Sequence, residues 1–372
     1  MATVGKPIEC KAAVSWKMNG GFSIETVEVA VPKKGEVRVK IRSAGICHSD
    51  LHVLKGMDKK WPFPCVLGHE GAGVVESVGE GVASVVPGDV VVLVWEAYCG
   101  ECDFCKDPRT NLCQKQPRNH LQMDGTSRIT CKGQPIFQMM SVSAFSEYTV
   151  TSEFNVAKVD PMANQRCLAL AGCCIPTGYG AVKNVGKVTP GSTCAVWGLG
   201  AVGMCVLLAC KDQGASKIIG IDLNPRKFLR AIQFGATDCL DPEEVNVKDR
   251  LSEMTNGGVD FCFVSVGVVS AMEQAFLSSH PQWGKTVVIG LANVGETMKV
   301  GVWELIFGRQ LLGTYYGSYK SRLHIPHLVD KAQIHLENLV SHYIPLERIA
   351  DGFDMLKTGE SLRTVIDFET RA

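Results

Sequence analysis

Two contrasting element patterns in a chain of 372 residues predict an α/β protein of two domains, one mainly β and one built on a doubly wound parallel sheet. The length supports the division, because a single core rarely grows to this size. From Ile24 to about Val150, short β-type runs are broken by turn residues: Glu36–Arg42 alternates apolar with polar, and Gly73–Gly79 and Asp89–Trp95 follow the same habit. Beyond residue 190 the pattern changes to strands alternating with helices. Strand Ser192–Trp197 leads through a glycine-rich turn to helix Ala201–Gln213, strand Lys217–Asp222 and a helix over Arg226–Phe234. Strand Val259–Val264, helix Ser270–Leu277 and strand Thr286–Gly290 continue the series. The alternation fades after Leu311–Tyr316. The tail carries an amphipathic helix from Ile325, a second around Leu346–Leu356 and a closing strand over Leu362–Phe368. No internal repeat or low-complexity segment is visible.

Charge excludes some function classes. Lys and Arg together number 38 and so do Asp and Glu, so the chain has no net field to attract nucleic acid or an anionic membrane. Met1–Cys10 lacks a basic stretch followed by an apolar run, and no apolar run reaches the roughly 18 residues needed to span a bilayer. These features predict a cytoplasmic protein with no nucleic-acid or membrane partner. Sixteen cysteines in so long a chain point to metal ligands or reduced core thiols rather than disulfides. Cys10, Cys131, Cys194 and Cys239 stand singly in apolar surroundings and read as small buried hydrophobes.

Four other cysteines cluster. Cys99, Cys102 and Cys105, followed by Cys113, offer four thiolates from one short lobe, the donor set of a closed tetrahedral zinc site whose binding free energy orders the loop. Farther on, Gly198-Leu199-Gly200-Ala201-Val202-Gly203 follows an apolar strand and opens a helix. There glycines allow a tight turn and let a dinucleotide pyrophosphate approach the helix N-terminus. Asp222 ends the next strand 19 residues after Gly203, placed to accept from the adenosine ribose hydroxyls and to repel a 2′-phosphate. NAD is therefore favoured over NADP. Lys227, five residues on, is a second candidate for that ribose.

A third constellation lies in the β-rich half. Cys47-His48-Ser49-Asp50-Leu51-His52 and Gly68-His69-Glu70 bring thiol, imidazole and carboxylates into one region, a donor type that suits a catalytic zinc with an open position.

With these motifs the sequence resembles the medium-chain zinc-dependent alcohol dehydrogenases over nearly its whole length. The matching stretches include Gly45–Asp50, Gly68–Gly73, the four-cysteine lobe, Thr126–Cys131, Phe145–Val150, Gly178-Tyr179-Gly180, Thr189–Gly191, the glycine fingerprint and Gly359–Arg363. The resemblance implies a GroES-like catalytic domain formed by residues 1–175 and 318–372, a Rossmann NAD-binding domain over 176–317, and a homodimer joined through the coenzyme domains. It also implies two zinc ions per subunit, the catalytic one held by Cys47, His69 and Cys173. Cys173 rather than Cys174 falls in the family's ligand position, and residue 174 usually is glycine in relatives. Zinc there acts as a Lewis acid on the alcohol. Ser49 matches the hydroxyl that takes the alcohol proton, and His52 matches the histidine that passes it to solvent. Asp50 is the carboxylate that orients His69, and Glu70 lies behind the metal. For the coenzyme, His48 and Arg363 match pyrophosphate contacts and Thr177 a residue near the nicotinamide, whereas Val268 replaces a frequent arginine. A histidine at position 48, only partly charged near neutral pH, favours looser pyrophosphate binding.

Trp95, Met139, Met140, Leu291 and Tyr315 fall at substrate-pocket positions of the family. They imply a primary or secondary alcohol, or its aldehyde or ketone, with aromatic or medium-chain substrates favoured over ethanol. The alternative within the class is oxidation of S-(hydroxymethyl)glutathione. Against it, Lys60 replaces an acidic loop, His52 replaces tyrosine and the match of Arg118 is doubtful. A non-redox lyase or a binding protein on the same scaffold is the alternative outside it.

Overall fold

Alternation at the start of the chain, with Ile8, Cys10 and Ala12 buried and Glu9 and Lys11 exposed, makes strand β1 (Ile8–Ser15), which precedes the first run read from the sequence. In the computed structural model, which describes residues 3, 5–57, 59–117 and 120–370 (331–335 by backbone alone), β1 pairs antiparallel with β2 (Ser23–Val29). Next come the long β3 (Glu36–Ile46), helix α1 (His48–Leu54), β4 (Cys65–Val66), β5 (Glu70–Val78) and β6 (Val90–Leu93). Helix α2 (Asp103–Lys106), the short β7 (Ile129–Cys131), β8 (Gln134–Pro135) and β9 (Phe137–Gln138), then β10 (Tyr148–Ser152) and β11 (Val156–Lys158) follow. One six-stranded sheet runs β8-β7-β2-β1-β4-β9.

The next unit, Cys174–Tyr319, begins with α3 (Cys174–Gly180) and a π-helical turn over Ala181–Gly186. Strands and helices then alternate: β12 (Thr193–Trp197), α4 (Ala201–Asp212), β13 (Lys217–Ile221), α5 (Phe228–Gln233), β14 (Asp238–Leu240), α6 (Val247–Met254), β15 (Phe261–Val264), α7 (Val269–Ser278), β16 (Lys285–Val288), α8 (Val302–Ile306) and β17 (Gln310–Gly313). All strands pair parallel in the order β14-β13-β12-β15-β16-β17. The order reverses between β12 and β15, and in such sheets the crevice beyond the strand ends at that point takes the ligand. The helix read over Arg226–Phe234 begins two residues later. Asn224 accepts from the Arg226 amide and Pro225–Lys227 forms a 3-10 turn before α5 starts.

After Tyr319 the chain returns. Lys320–Ala372 belongs to the same unit as Met1–Cys173 and adds α9 (Ser321–Leu339), β18 (His342–Ile344), α10 (Ile349–Thr358) and β19 (Thr364–Asp367). Strand β19 pairs antiparallel with the end of β3, Thr364 opposite Ile46 through Asp367 opposite Ser43, while β10 pairs with the start of the same edge. The second sheet thus runs β11-β6-β5-β3-β19-β18. Helix α9 starts one turn earlier than the sequence pattern indicates, so Pro326 lies inside it, because Ser321 is buried and bonded to the Glu96 carbonyl. Among the described residues no helix is long and apolar enough to cross a membrane.

Candidate active site

Strands β3 and β5 lie side by side with Gly45 opposite Glu70, so the chain leaving β3 and the chain entering β5 meet at one end of the sheet. Glycine at position 45 keeps this crossing open: a Cβ on it would come within 2.1 Å of a Glu70 carboxylate oxygen, which would have to shift. Cys47 follows β3 as the N-cap of α1, His69 immediately precedes β5, and Cys173 follows the 3-10 turn Leu168–Gly172 that packs on β5 and β6. That turn sits close because Gly172 has no side chain, its missing Cβ falling 2.6 Å from the Leu93 carbonyl. The result is a buried group in which one ligand-type atom from each of Cys47, His69, Glu70 and Cys173 lies within 4.8 Å of the others.

Asp50 organises the group. Its carboxylate, fully buried, accepts from the Cys47 amide at 3.0 Å, the Gly68 amide at 3.0 Å and His69 Nδ1 at 3.1 Å. With Nδ1 directed at the Asp50 carboxylate, Nε2 is the ring nitrogen left to face the sulfurs, and a metal taking it would displace its proton. A bond from Cys173 holds the Cys47 thiol well below its ordinary pKa against the opposing effect of burial, with Arg363 and His69 helping. The same pairing with Cys47, then burial, pushes Cys173 well up. Burial opposes charge on His69, but Asp50 and Cys47 lift it well above the ordinary histidine value. Two sulfurs and an imidazole nitrogen, buried together within 4.8 Å, fit zinc. Glu70 forms a buried ion pair with Arg363 Nη2 at 2.8 Å, and Arg363 Nη1 donates to the Ile46 carbonyl at 2.9 Å. Arg363 therefore already serves the wall behind the metal group.

Ser49 is half-buried beside Cys47, 3.8 Å from Oγ to Sγ. His52 lies one turn farther along α1, half-buried, and burial is the main cause that lowers its pKa. Exposed His48 packs its ring 6.4 Å from that of His52. Trp95 stands edge-on to His69 with ring centroids 6.3 Å apart. Met139 is wholly buried, so of the two methionines only half-buried Met140 has surface to offer a ligand.

The second thiol group lies in the lobe around α2. Cys99, Cys102, Cys105 and Cys113 also bring their sulfurs within 4.8 Å of one another. Amides of Cys102, Cys105 and Lys115 point at the sulfurs of Cys99, Cys102 and Cys113, each at 3.4 Å. Burial opposes thiolate formation, but the Cys105 amide and its neighbours bring Cys102 down to about 6, while burial sends Cys113 up to about 12. A divalent cation would resolve this unequal sharing of protons, and the four-sulfur shell fits zinc.

In the other unit, Gly198 leaves β12 with φ +89°, and a Cβ on Gly203 would fall 1.9 Å from the Gly198 carbonyl oxygen, so helix α4 can approach the strand only through glycine. Gly200 caps α4, Leu199 is buried and Val202 half-buried. Asp222 accepts from the Leu199 amide at 2.7 Å and from Lys227 Nζ at 2.9 Å. Lys227, read from the sequence as a second candidate for the ribose, is here bonded to Asp222. The Thr177 hydroxyl, half-buried on α3, has no hydrogen-bond partner. Val268, Leu291 and Tyr315 are exposed.

Glu96 and Lys320 were not legible in the sequence. Glu96 is a buried acid that accepts the Cys113 amide, and Lys320 reaches the lobe from 215 positions away. Neither belongs to a motif, and Lys320 meets the lobe only because the chain returns to its first unit. Arg118 lies outside the described residues.

The parallel sheet with its glycine turn and the two thiol-rich groups define a zinc-binding dehydrogenase scaffold. Family models agree: residues 33–161 match the alcohol dehydrogenase GroES-like domain and residues 201–332 the zinc-binding dehydrogenase domain. Among solved structures, an alcohol dehydrogenase zinc-binding domain protein from Burkholderia ambifaria is 32% identical with a TM-score of 0.92, over 98% of this chain and 100% of that one. Benzyl alcohol dehydrogenase from Acinetobacter calcoaceticus is 31% identical with a TM-score of 0.90, over 97% and 99%. An alcohol dehydrogenase from Thermus sp. ATN1 is 28% identical with a TM-score of 0.79, over 96% and 100%. The chain belongs to the medium-chain zinc-dependent alcohol dehydrogenase family and is an oxidoreductase of that family.

Proposed function

We propose that the protein oxidises primary or secondary alcohols, aromatic or medium-chain ones in preference to ethanol, with NAD as coenzyme, and reduces the matching aldehydes or ketones. The observation that carries this reading is the buried group of Cys47, His69 and Cys173, with His69 held by Asp50 through Nδ1 so that Nε2 faces the two sulfurs. Zinc held there supplies Lewis acidity toward the alcohol oxygen, and NAD supplies the hydride acceptor. Cys47 and Cys173 set the charge of the site, Asp50 fixes the ring of His69, and Arg363 neutralises Glu70 behind it. Ser49 takes the hydroxyl proton and His52, half-buried one turn away, carries it toward water. In the coenzyme unit, Gly198–Gly203 admits the pyrophosphate and Asp222 with Lys227 holds the ribose hydroxyls. By the family resemblance, His48 and Arg363 are the first unit's candidates for pyrophosphate contact and Thr177 the coenzyme unit's candidate for the nicotinamide. Trp95 beside His69 and half-buried Met140 favour substrates with a flat or pliable apolar tail, in keeping with the benzyl alcohol dehydrogenase likeness; Leu291 and Tyr315 are the coenzyme unit's residues at the family's substrate-pocket positions. A homodimer formed through the coenzyme units and a cytoplasmic location complete the proposal.

The test is absorbance at the NADH band with zinc-loaded protein offered NAD or NADP together with ethanol, octanol, benzyl and cinnamyl alcohols, or S-(hydroxymethyl)glutathione. Benzyl and cinnamyl alcohols with NAD are expected to give the highest kcat/KM, and Cys47→Ala to abolish it. Turnover confined to the glutathione adduct, or to NADP, would replace the proposed substrate or coenzyme.

A further inference from the structure

The lobe that carries Cys99, Cys102, Cys105 and Cys113 is gripped by the residues with which the chain re-enters its first unit. Lys320 is the first of them and the N-cap of α9, yet its side chain makes no cap bond. Instead the ammonium donates to the carbonyl oxygens of Cys105 and, at 3.0 Å, of Asp107. These carbonyls close the C-terminal end of α2, a helix of only four residues. Its last carbonyls have no partner along the helix, and a cation is favoured there. The next residue, buried Ser321, donates to the Glu96 carbonyl at 2.6 Å, and the Glu96 carboxylate accepts the Cys113 amide at 3.1 Å. Two consecutive residues of the return segment thus hold both ends of the four-sulfur shell.

Four thiolates around a divalent cation leave two net negative charges, so an ammonium bound beside one ligand favours the filled state over the empty one. Coupling of this kind is reciprocal: if the docked lysine favours metal in the lobe, metal in the lobe favours the docked lysine. We propose that Lys320 is a positioning residue for the lobe metal, and that occupancy of the lobe fixes the turn at which the chain returns to its first unit. The inference rests on reading the lobe as a zinc site.

The experiment uses the full-length, zinc-loaded protein challenged with the chelating dye 4-(2-pyridylazo)resorcinol, with cysteine alkylation mapped by peptide mass. Lys320→Met should release lobe zinc about 10–100-fold faster, the usual effect of removing a group that supports metal ligands. Alkylation should appear at Cys99–Cys113 while Cys47 and Cys173 stay protected, and Lys320→Arg, which can reach both carbonyls, should restore slow release. Hydrogen exchange at the 320–323 amides should rise when the lobe of the native protein is emptied. Unchanged release in Lys320→Met, or unchanged exchange on emptying, overturns the proposal. If Lys320→Met does not accumulate folded, Lys320→Gln gives the same reading. Rapid alkylation of all four lobe cysteines in zinc-loaded native protein overturns the zinc reading itself, a distinct result from equal release rates.

Discussion

At the residue scale the site depends on a few groups whose partners fix their chemistry. His52 is the clearest case for a pH dependence. Burial, with Lys55 nearby, lowers its pKa, and the Cys47 thiolate only partly opposes this. In the role proposed for it, as a proton acceptor, His52 must be neutral, and a lowered pKa keeps the ring neutral to more acidic pH. The alcohol-oxidation rate should therefore hold below the ordinary histidine value before it falls. His52→Gln should lower kcat about tenfold and remove that acid limb from the pH–rate profile. A limb that persists unchanged in the variant would assign it to another group. Asp222 is the second case, since its carboxylate takes the Leu199 amide and Lys227 at once. Hydrogen bonds to a charged group are worth about 1.5–3 kcal/mol, so Asp222→Asn should raise KM for NAD about 10–100-fold and narrow the preference over NADP. Steady-state kinetics with both coenzymes measures the shift.

At the element scale, β3 is the organising strand, and one of its residues departs from what a strand interior ordinarily holds. The Arg38 side chain is wholly buried. It donates Nε to Glu76 at 2.6 Å, Nη1 to the Lys6 carbonyl at 2.7 Å and Nη2 to the Thr3 carbonyl at 2.9 Å, which ties β3 to β5 and to the chain start. Arg38→Met leaves a mostly buried carboxylate and these carbonyls unpartnered, so it should cost about 3–5 kcal/mol in urea unfolding, well beyond the effect of an exposed ion pair. Burial opposes ionisation of Glu76, but Arg38, Ser77 and Thr3 hold its pKa below the ordinary value. Stability from this pair is therefore complete above the unfolded carboxylate pKa and is lost as pH falls through the lower folded one. The midpoint in urea should drop on acidification below about pH 4 in the native protein and much less in the variant.

The alternating patterns of β3 and β12–β16 were legible because apolar spacing decides them locally. The start of α9 was not, because the bonds from Lys320 and Ser321 that add its first turn come from residues far away in the chain. In the site, the cysteine spacing and glycine turn announced themselves. The part Arg363 plays against Glu70 did not, since it depends on β19 lying beside β3.

At the scale of the whole molecule, the parallel sheet ends in a strand that invites a partner. β17 pairs with β16 on one side, and among the described residues no strand covers its other edge. Helix α8 and the residue after it, just before β17, expose Val302, Trp303, Ile306 and Phe307 at 63–68% of their surface, with Trp303 and Phe307 stacked at 5.8 Å. Large exposed apolar groups close in sequence to an open edge are an aggregation hazard in a monomer and the material of an interface in an oligomer. A two-fold axis at the edge would let β17 pair with its own copy and bury both α8 helices, which is the geometry of an isologous dimer. Trp303→Glu together with Phe307→Glu should therefore move the mass measured by light scattering from two chains toward one. Zinc content should stay as in the parent, because the proposed ligands Cys47, His69 and Cys173 lie in the other unit. A double variant that keeps the parent mass would place the interface elsewhere and leave the exposed α8 face needing a different partner.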